Sequence, residues 1–169
     1  MPTLYLMFGY PGAGKTTAAE IISQITGAIH LSSDKVRLEL FPNPTFSQLE
    51  HDALYQTLDK RTEELLRSGK SVIYDANLNR YQHRKDKYNI CRRSGATPKL
   101  VWVQASRDVA KKRALHESRQ HLWPRHETPH QLFDRVADVL EEPGPSEPFV
   151  VLDGTKITDN YIRSTLQIL

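Results

Sequence analysis

The stretch that decides the fold is GYPGAGKTT, residues 9–17, which follows the apolar run TLYLMF at residues 3–8. It matches the phosphate-binding pattern Gly-x-x-x-x-Gly-Lys-Ser/Thr at every fixed position. Glycines let backbone N–H groups approach phosphate oxygens, and the helix that follows points its positive end at the anion. The lysine adds charge at the outer phosphates, and the threonine hydroxyl can bind Mg²⁺. We therefore predict a nucleotide site formed by Gly9, Pro11, Gly12, Ala13, Gly14, Lys15, Thr16 and Thr17.

The type of nucleotide follows from what accompanies this loop. A dinucleotide-binding loop is the other glycine-rich possibility, and Asp34 lies at a suitable distance for ribose binding. However, Lys15 and Thr16 follow Gly14 directly, and the third small residue of that pattern is missing. The sequence has no Asn-Lys-x-Asp guanine motif and no paired acids at a strand end. We therefore expect ATP, with its phosphate passing to a group other than water.

The composition is that of an ordinary globular chain. Its 169 residues are 38% hydrophobic and 25% charged, which suits one domain, residues 1–169, with a buried core. The early apolar run is too short for a signal peptide or a membrane span. A single cysteine, Cys91, excludes an internal disulfide framework and indicates a reducing compartment. We expect a cytoplasmic protein with no membrane partner, whose charge of +3 permits an anionic partner without requiring one.

Short apolar runs alternate along the chain with longer stretches of helical periodicity. This alternation predicts an α/β fold with a five-stranded parallel sheet and helices on both faces. The predicted strands are residues 4–8, 28–31, 72–74, 100–103 and 149–152.

Two of the helical stretches carry a predicted core face and a predicted start. The core faces are Leu54, Leu58 and Leu65 in one stretch, and Leu132, Val136 and Val139 in the other. Ser47 to Glu50 and Thr128 to Gln131 both fit a capping box, the second with proline at the first helical position.

Polar residues follow the second and third predicted strands, at the sheet edge where parallel α/β proteins bind ligands. Asp34 and Arg37 are three residues apart at a predicted helix start, so they share one face. The carboxylate could take a proton from an acceptor hydroxyl while the arginine holds an anionic part of the acceptor. A helix cap with an exposed arginine is the alternative interpretation of these two residues.

Asp75 directly follows the third predicted strand. It could hold magnesium-bound water or orient its neighbours, and a polar turn is the alternative interpretation.

Three stretches together resemble a known family. They are GYPGAGKTT at residues 9–17, SSDKVR at 32–37 and YDANLNRYQHR at 74–84. In this order they resemble the kinase domain of phage polynucleotide 5′-kinase and its small bacterial P-loop kinase relatives. More distant similarity extends to zeta-toxin-like kinases and chloramphenicol phosphotransferase.

The resemblance covers nearly the whole chain in architecture and implies an adenylate-kinase-like P-loop fold. It also implies a general-base role for Asp34 and an acceptor contact for Arg37. Ala76 stands where the family usually has threonine, so a hydroxyl contact made there is lost.

A basic stretch from Arg107 to Arg125 predicts a helical lid at approximately residues 113–130. P-loop kinases close such a segment over the phosphates and supply an arginine to the charge that develops during transfer. Arg119 and Arg113 are the predicted catalytic arginines, and Arg125 is the third candidate. A solvated basic helix face is the alternative for each of them.

A second basic segment, residues 80–93, holds six Arg or Lys residues and one Asp, with Tyr81 and Tyr88 between them. Such a segment is compatible with nucleic-acid phosphates, or with a solvated helix face. The histidines lack a metal-ligand spacing, so no structural zinc is expected.

The leading hypothesis is a kinase that uses ATP and Mg²⁺, with Thr16 and Asp75 at the metal. Its expected acceptor is a polynucleotide or nucleoside 5′-hydroxyl, with a small metabolite, nucleotide sugar or antibiotic as the second choice. An ATP-binding regulatory protein or ATPase is the alternative of a different class. Asp34 with Arg37 opposite the glycine loop discriminates between them, because a kinase needs that pair and a switch does not. The oligomeric state is left open.

Overall fold

The computed structural model describes residues 1–116, 124 and 126–168. Its five strands form one parallel sheet in the order β2-β3-β1-β4-β5. The strands are β1 (Thr3–Phe8), β2 (Ile29–Ser32), β3 (Val72–Asp75), β4 (Thr97–Gln104) and β5 (Phe149–Asp153). Each overlaps one predicted apolar run, so the predicted α/β fold with a five-stranded parallel sheet is confirmed.

The described residues form seven helices, which cover both faces of the sheet. They are α1 (Lys15–Thr26), α2 (Ser33–Leu40), α3 (Gln48–Arg67), α4 (Tyr81–Ser94), α5 (Arg107–His116), α6 (Pro129–Asp138) and α7 (Asp159–Leu166). Because side chains alternate along a strand, β1 sends Leu4, Leu6 and Phe8 into a core shared with α3 and α4. Tyr5 and Met7 enter the opposite core, shared with α1 and α7.

The position of β1 in the sheet determines where polar groups can meet. It lies between β3 and β4, and β2 lies on the far side of β3. The carboxyl ends of all five parallel strands open onto one edge. The loop after β1 therefore lies at the middle of that edge, beside Asp75 at the end of β3.

One predicted capping box is confirmed and the other is correct only in part. The Thr128 side chain accepts from the Gln131 amide, and the Gln131 side chain accepts from the Thr128 amide. The Ser47 side chain likewise accepts from the Glu50 amide, at 3.3 Å.

The Glu50 carboxylate, however, binds the amides of Thr45 and Phe46 instead of that of Ser47, at 2.8–2.9 Å. The chain before Ser47 passes through a left-handed Phe46, with φ 58°. It therefore presents these two amides, in place of the Ser47 amide, to the carboxylate.

The predicted core face is largely right for α3 and wrong for α6. Leu54 and Leu58 are buried as predicted, and Leu65 packs partly buried against the same core. In α6 the buried residues are Phe133 and Ala137, which pack on α5 rather than on the sheet. Leu132 and Val136 are half-buried and line a cavity, and Val139 is the C-terminal cap. An apolar stripe alone does not show whether a helix faces a core or a cavity.

A buried ion pair joins α4 to the loop before β5. Arg84 has no exposed surface and donates from Nε and Nη2 to the two Glu147 carboxylate oxygens, at 2.9 and 2.8 Å. Its Nη1 donates to the carbonyls of Leu78 and Asn79, at 3.0 and 3.2 Å. Burial raises the pKa of the Glu147 carboxyl, but hydrogen bonds from Arg84 and Tyr88 outweigh burial, and the net pKa is lowered. The pair is thus charged at neutral pH.

We predict that Glu147→Ala lowers the free energy of unfolding by about 3–5 kcal/mol, because it leaves the Arg84 guanidinium buried without its counter-charge. Since the folded-state pKa of Glu147 is lowered, its contribution is present at neutral pH and is lost as the pH falls through that pKa. Urea denaturation at neutral and acidic pH measures both effects. Glu64→Ala, which removes an exposed partner of Lys60, is the control and should change little. Equal effects of the two substitutions would contradict the prediction.

Candidate active site

The glycine loop has a backbone conformation that residues with side chains rarely adopt. Gly9, Gly12 and Gly14 have φ values of 141°, 78° and 107°, which favour glycine. A Cβ on Gly9 would overlap the Val103 carbonyl. The loop leads directly into α1 at Lys15, so the N-terminus of that helix faces the loop. A glycine-rich loop followed directly by a helix N-terminus favours binding of an anion.

Two neighbouring segments hold the loop in place. A Cβ on Gly12 would overlap the Ala110 carbonyl of α5, so loop and helix pack backbone to backbone. On the other side, a Cβ on Gly154 would overlap the Ala13 carbonyl. The Gly154 amide donates to the Gln104 carbonyl at 2.7 Å, which fixes the segment after β5 against the end of β4.

The two predicted metal residues meet beside the loop. Thr16 Oγ1 donates to Asp75 Oδ2 at 2.9 Å, and His30 Nε2 lies 3.0 Å from the same oxygen. Burial raises the pKa of Asp75, but the His30 contact, the charge of Lys15 and the Thr16 hydrogen bond outweigh it, so the net pKa is lowered. Asp75 is therefore an ionised carboxylate at neutral pH.

These residues fit a magnesium ion. Mg²⁺ is usually held by one or two hard oxygen ligands of the protein together with substrate phosphates. The Thr16 hydroxyl and the Asp75 carboxylate supply such oxygens at the start of α1. Over residues 1–116, 124 and 126–168, no group of three or more His, Cys, Asp or Glu side chains could hold a metal ion.

Lys15 also lies at the loop. Its Nζ donates to the carbonyls of Gly9 and Tyr10, at 2.9 and 2.8 Å. The ammonium therefore lies across the loop, close to the amides that would receive a phosphate. A flexible four-carbon stem lets it move from these carbonyls to a more strongly charged partner.

A cavity of about 590 Å³ opens from the loop toward α2, α3 and α6. Lys15, Thr16, Asp75, Asp34 and Arg37 all line it, so the structure brings these predicted site residues together. Its other lining residues include Phe46, Gln48, His51, Tyr55, Asn77, Asn79, Leu132, Phe133 and Val136.

Arg37 is the most unusual side chain in this cavity. It is 9% exposed, and its Nη1 has no hydrogen-bond partner among the described residues. Nη1 forms an ion pair with the Glu50 carboxylate at 3.8 Å, too long for a hydrogen bond, and the guanidinium lies 4.8 Å from the centre of the Phe46 ring. An unpaired buried donor is costly, so an anionic ligand in the cavity would stabilise this arrangement.

A second cavity, of about 490 Å³, lies on the other side of the loop. Gly12, Gly14, Thr17, Arg113, His116, Gly154, Thr155 and Ile157 line it. Arg113 Nη1 donates to the Gly154 carbonyl at 2.9 Å, and Arg113 is absent from the lining of the larger cavity.

Of the predicted lid, residues 113–116 belong to α5 and residues 129–130 to α6. Arg119 and Arg125 lie outside the described residues, so their roles stay predictions.

Only part of the basic segment at residues 80–93 is available to an anionic partner. Arg84 is buried with Glu147, and Lys87 is buried with its Nζ 2.6 Å from the Asp59 carboxylate. Arg93 pairs with Glu63 at 3.0 Å. The other three basic residues of the segment, Arg80, Lys85 and Arg92, are exposed. Half of the charge counted from sequence is thus held by carboxylates of the same chain.

Gly154 and His30, which support the loop and Asp75, were not among the predicted site residues. Gly154 follows the fifth strand directly, and inspection of every strand end, rather than only the second and third, would have found it. His30 is two residues before Ser32 in β2, and strand alternation places both on one face. A single histidine in a short strand gives no further signal.

None of the helices described is long and apolar enough to cross a membrane.

We predict that Gly154→Ala weakens binding of ADP and lowers the free energy of unfolding by about 1–3 kcal/mol, because the added methyl group displaces the Ala13 carbonyl of the loop. Gly144→Ala is the matched control, since a Cβ there meets nothing within 4 Å. Calorimetric ADP titration and thermal unfolding measure both effects. Unchanged ADP affinity in Gly154→Ala would show that the loop does not depend on this packing.

Comparison with known proteins places the chain in a family. A family model described as an AAA domain matches residues 4–143, which include the glycine loop, α2 and α6. No curated protein matches the chain. The similar solved structures below are under 25% identical and show the fold alone.

A candidate kinase from Chloroflexus aurantiacus is 23% identical with a TM-score of 0.76, over 99% of this chain and 98% of that one. A gluconokinase from Sinorhizobium meliloti is 18% identical with a TM-score of 0.69, over 98% and 90%. A chain of the Pnkp1/Rnl/Hen1 RNA repair complex is 19% identical with a TM-score of 0.68, over 82% of this chain and 44% of that one. The protein belongs to the AAA-domain family represented by that model, with a P-loop kinase-like fold.

Proposed function

We propose that this protein is a kinase that transfers the γ-phosphate of ATP, with Mg²⁺, to a hydroxyl group of an acceptor in the larger cavity. The observation that carries this proposal is that Lys15 and Thr16 of the loop line one cavity with Asp34 and Arg37 of α2. Phosphoryl transfer depends mainly on positioning and on neutralising charge. A cavity that joins a phosphate site to a carboxylate and a guanidinium is suited to both.

Each group near the loop has a proposed part in holding the nucleotide. The loop amides and the α1 N-terminus bind phosphate oxygens, and Lys15 neutralises charge at the outer phosphates. Thr16 and Asp75 hold Mg²⁺, which supplies further charge neutralisation when bound. The smaller cavity beside Arg113 and Gly154 is on the opposite side of the loop and suits the remainder of the nucleotide. ATP would then have its outer phosphates directed toward the larger cavity.

Asp34 is the proposed general base. It lies in the first turn of α2 and lines the cavity with Lys15. As a carboxylate it accepts the hydroxyl proton of the acceptor while the acceptor oxygen attacks the γ-phosphate and ADP leaves. An ATPase that only switches conformation has no use for such a base.

Arg37 is the proposed anion receptor for the acceptor. Its buried Nη1 lacks a hydrogen-bond partner among the described residues, and charge-assisted hydrogen bonds to carboxylate or phosphate are the strongest that a guanidinium makes. The remaining wall combines aromatic and apolar residues, such as Phe46, Tyr55 and Leu132, with the polar residues Gln48, Asn77 and Asn79. We therefore propose a compact alcohol that carries an anionic group, such as a nucleoside phosphate or a sugar acid.

The 5′-hydroxyl end of a polynucleotide is the second candidate. The motif order favours it, and Arg80, Lys85 and Arg92 are exposed and available to more distant phosphates. Against it, Arg84, Lys87 and Arg93 are already paired with carboxylates. Only the terminal nucleotide of such a strand would occupy the cavity.

A panel of acceptors with labelled ATP tests the proposal. The panel contains nucleoside 3′-monophosphates, sugar acids, neutral sugars and a 5′-hydroxyl oligonucleotide. We expect ADP to form in a one-to-one ratio with a phosphorylated anionic alcohol. ADP that forms at the same rate without any acceptor, together with free phosphate, would indicate an ATPase. For the oligonucleotide, a steep rise of KM with salt would indicate many phosphate contacts and favour the second candidate.

We predict that Asp34→Asn lowers kcat by about 10²–10⁴-fold, because the amide keeps the size of the side chain but cannot take a proton. The affinity for ATP, measured by calorimetry, should change little. Asp86→Asn, an exposed position on α4, is the control and should keep full activity. If Asp34→Asn weakens ATP binding and spares kcat, Asp34 belongs to the nucleotide site instead.

We predict that Arg37→Gln raises KM for the accepted anionic alcohol by about 10–100-fold, the effect of losing a hydrogen bond to a charged group, and leaves KM for ATP unchanged. Arg92→Gln removes an exposed arginine that does not line the cavity and serves as the control. Steady-state kinetics with each substrate varied in turn separates the two constants. A KM increase for ATP alone would contradict the assignment of Arg37 to the acceptor.

A further inference from the structure

Besides Thr16, a second residue contacts the Asp75 carboxylate: His30, which lies outside the loop and outside the predicted site. His30 Nε2 is 3.0 Å from Asp75 Oδ2, the oxygen that also accepts from Thr16 Oγ1 at 2.9 Å. The side chains of His30 and Asp75 are 9% and 7% exposed. The contact therefore forms in a largely dry environment, where a hydrogen bond to a charged group is strong.

The chemistry of the two groups assigns the direction of this hydrogen bond. Carboxylate oxygens accept hydrogen bonds, so the His30 ring nitrogen Nε2 is assigned as the donor to Asp75 Oδ2. Oδ2 thus receives two donors from different directions, one from α1 and one from β2. Two donors on one oxygen restrict rotation of the carboxylate about its last torsion.

The sheet register makes this contact a fixed feature of the fold. His30 pairs with Ile73 and Ser32 pairs with Asp75 across the β2–β3 ladder. Alternation along a strand places His30 on the same face as Ser32, and Ile73 on the same face as Asp75. Ile73 belongs to the core beneath α1, so His30 reaches Asp75 from the α1 side of the sheet. Strand pairing, rather than a mobile loop, positions the imidazole.

Thr16 cannot be the only support of this carboxylate in a working site. Thr16 is itself a proposed magnesium ligand, so its hydroxyl has to serve the metal as well as Asp75. His30 is not a proposed ligand of the metal or of the nucleotide, so its contact with Oδ2 does not have to break when they bind. A partner of this kind, one step removed from the metal, commonly sets the orientation of a ligand and the affinity for the ion.

We propose that His30 is a positioning residue for the magnesium site: its ring N–H holds the Asp75 carboxylate in the orientation that serves Mg²⁺ bound with the nucleotide. The inference rests on the proposed nucleotide site, but it does not depend on the identity of the acceptor. It predicts that His30 acts on metal affinity and not on the binding of nucleotide by itself.

Calorimetric titration of ADP in EDTA and in saturating Mg²⁺ tests this inference without any acceptor or turnover. The ratio of the two ADP affinities gives the factor by which Mg²⁺ strengthens ADP binding, which is the gain due to Mg²⁺. Three substitutions are compared: His30→Leu removes the donor, His30→Gln keeps an N–H at about the reach of Nε2, and His30→Asn carries a shorter amide. His130→Ala, at an exposed position of α6, is the control.

We expect His30→Leu and His30→Asn to reduce the gain due to Mg²⁺ by about tenfold, with ADP affinity in EDTA unchanged. His30→Gln should restore most of the gain, and His130→Ala should keep all of it. Should His30→Leu fail to fold in thermal unfolding, the comparison of His30→Gln with His30→Asn decides, since both are polar amides that differ in reach.

An unchanged gain in His30→Leu and His30→Asn would overturn the inference. So would an equal loss of ADP affinity with and without Mg²⁺, which is the result of a purely structural role. Failure of the proposed function gives different results. If wild-type protein does not bind ADP, the proposed nucleotide site is wrong. If wild-type protein binds ADP but phosphorylates no acceptor, the kinase proposal is wrong, and the result for His30 still holds.

Discussion

The site depends on a backbone loop that only glycine can form at three positions. Gly9, Gly12 and Gly14 are left-handed, and side chains at Gly9 and Gly12 would collide with the carbonyls of Val103 and Ala110. The second contact ties the loop to α5, and Gly154 ties it to the segment after β5. Because β1 is central in the sheet, these contacts fix the loop at the middle of the carboxyl edge. Every other proposed site residue is placed relative to it.

The loop divides the carboxyl edge into two regions of different character. On one side is a cavity with Asp34, Arg37 and Asp75. On the other is a smaller cavity beside Arg113 and Gly154. A nucleotide that crosses the loop would present its terminal phosphate to the first region. There the buried Nη1 of Arg37, which has no hydrogen-bond partner among the described residues, favours an anionic acceptor. This arrangement accounts physically for the proposal of transfer to an alcohol rather than to water.

The features that sequence predicted well are local ones. The glycine loop with its helix, the five strand runs and the position of Asp34 and Arg37 on one side of α2 each depend on residues within a few positions of one another. The features that it predicted poorly depend on distant partners. Arg84 was counted as available charge, although Glu147, 63 positions away, neutralises it. The face of α6 was assigned to a core, although it lines a cavity, because periodicity does not identify what a helix packs against.

The most direct test of the central claim, that the loop at Gly9–Thr16 binds the phosphates of ATP, is a comparison of wild-type protein with Lys15→Met. Methionine keeps much of the side-chain stem and removes the ammonium. ATP hydrolysis or transfer is followed with labelled ATP in the presence of Mg²⁺, and thermal unfolding verifies the fold. We predict that Lys15→Met unfolds within a few degrees of wild type and loses measurable phosphoryl transfer. Wild-type turnover in the Lys15→Met protein would contradict the claim.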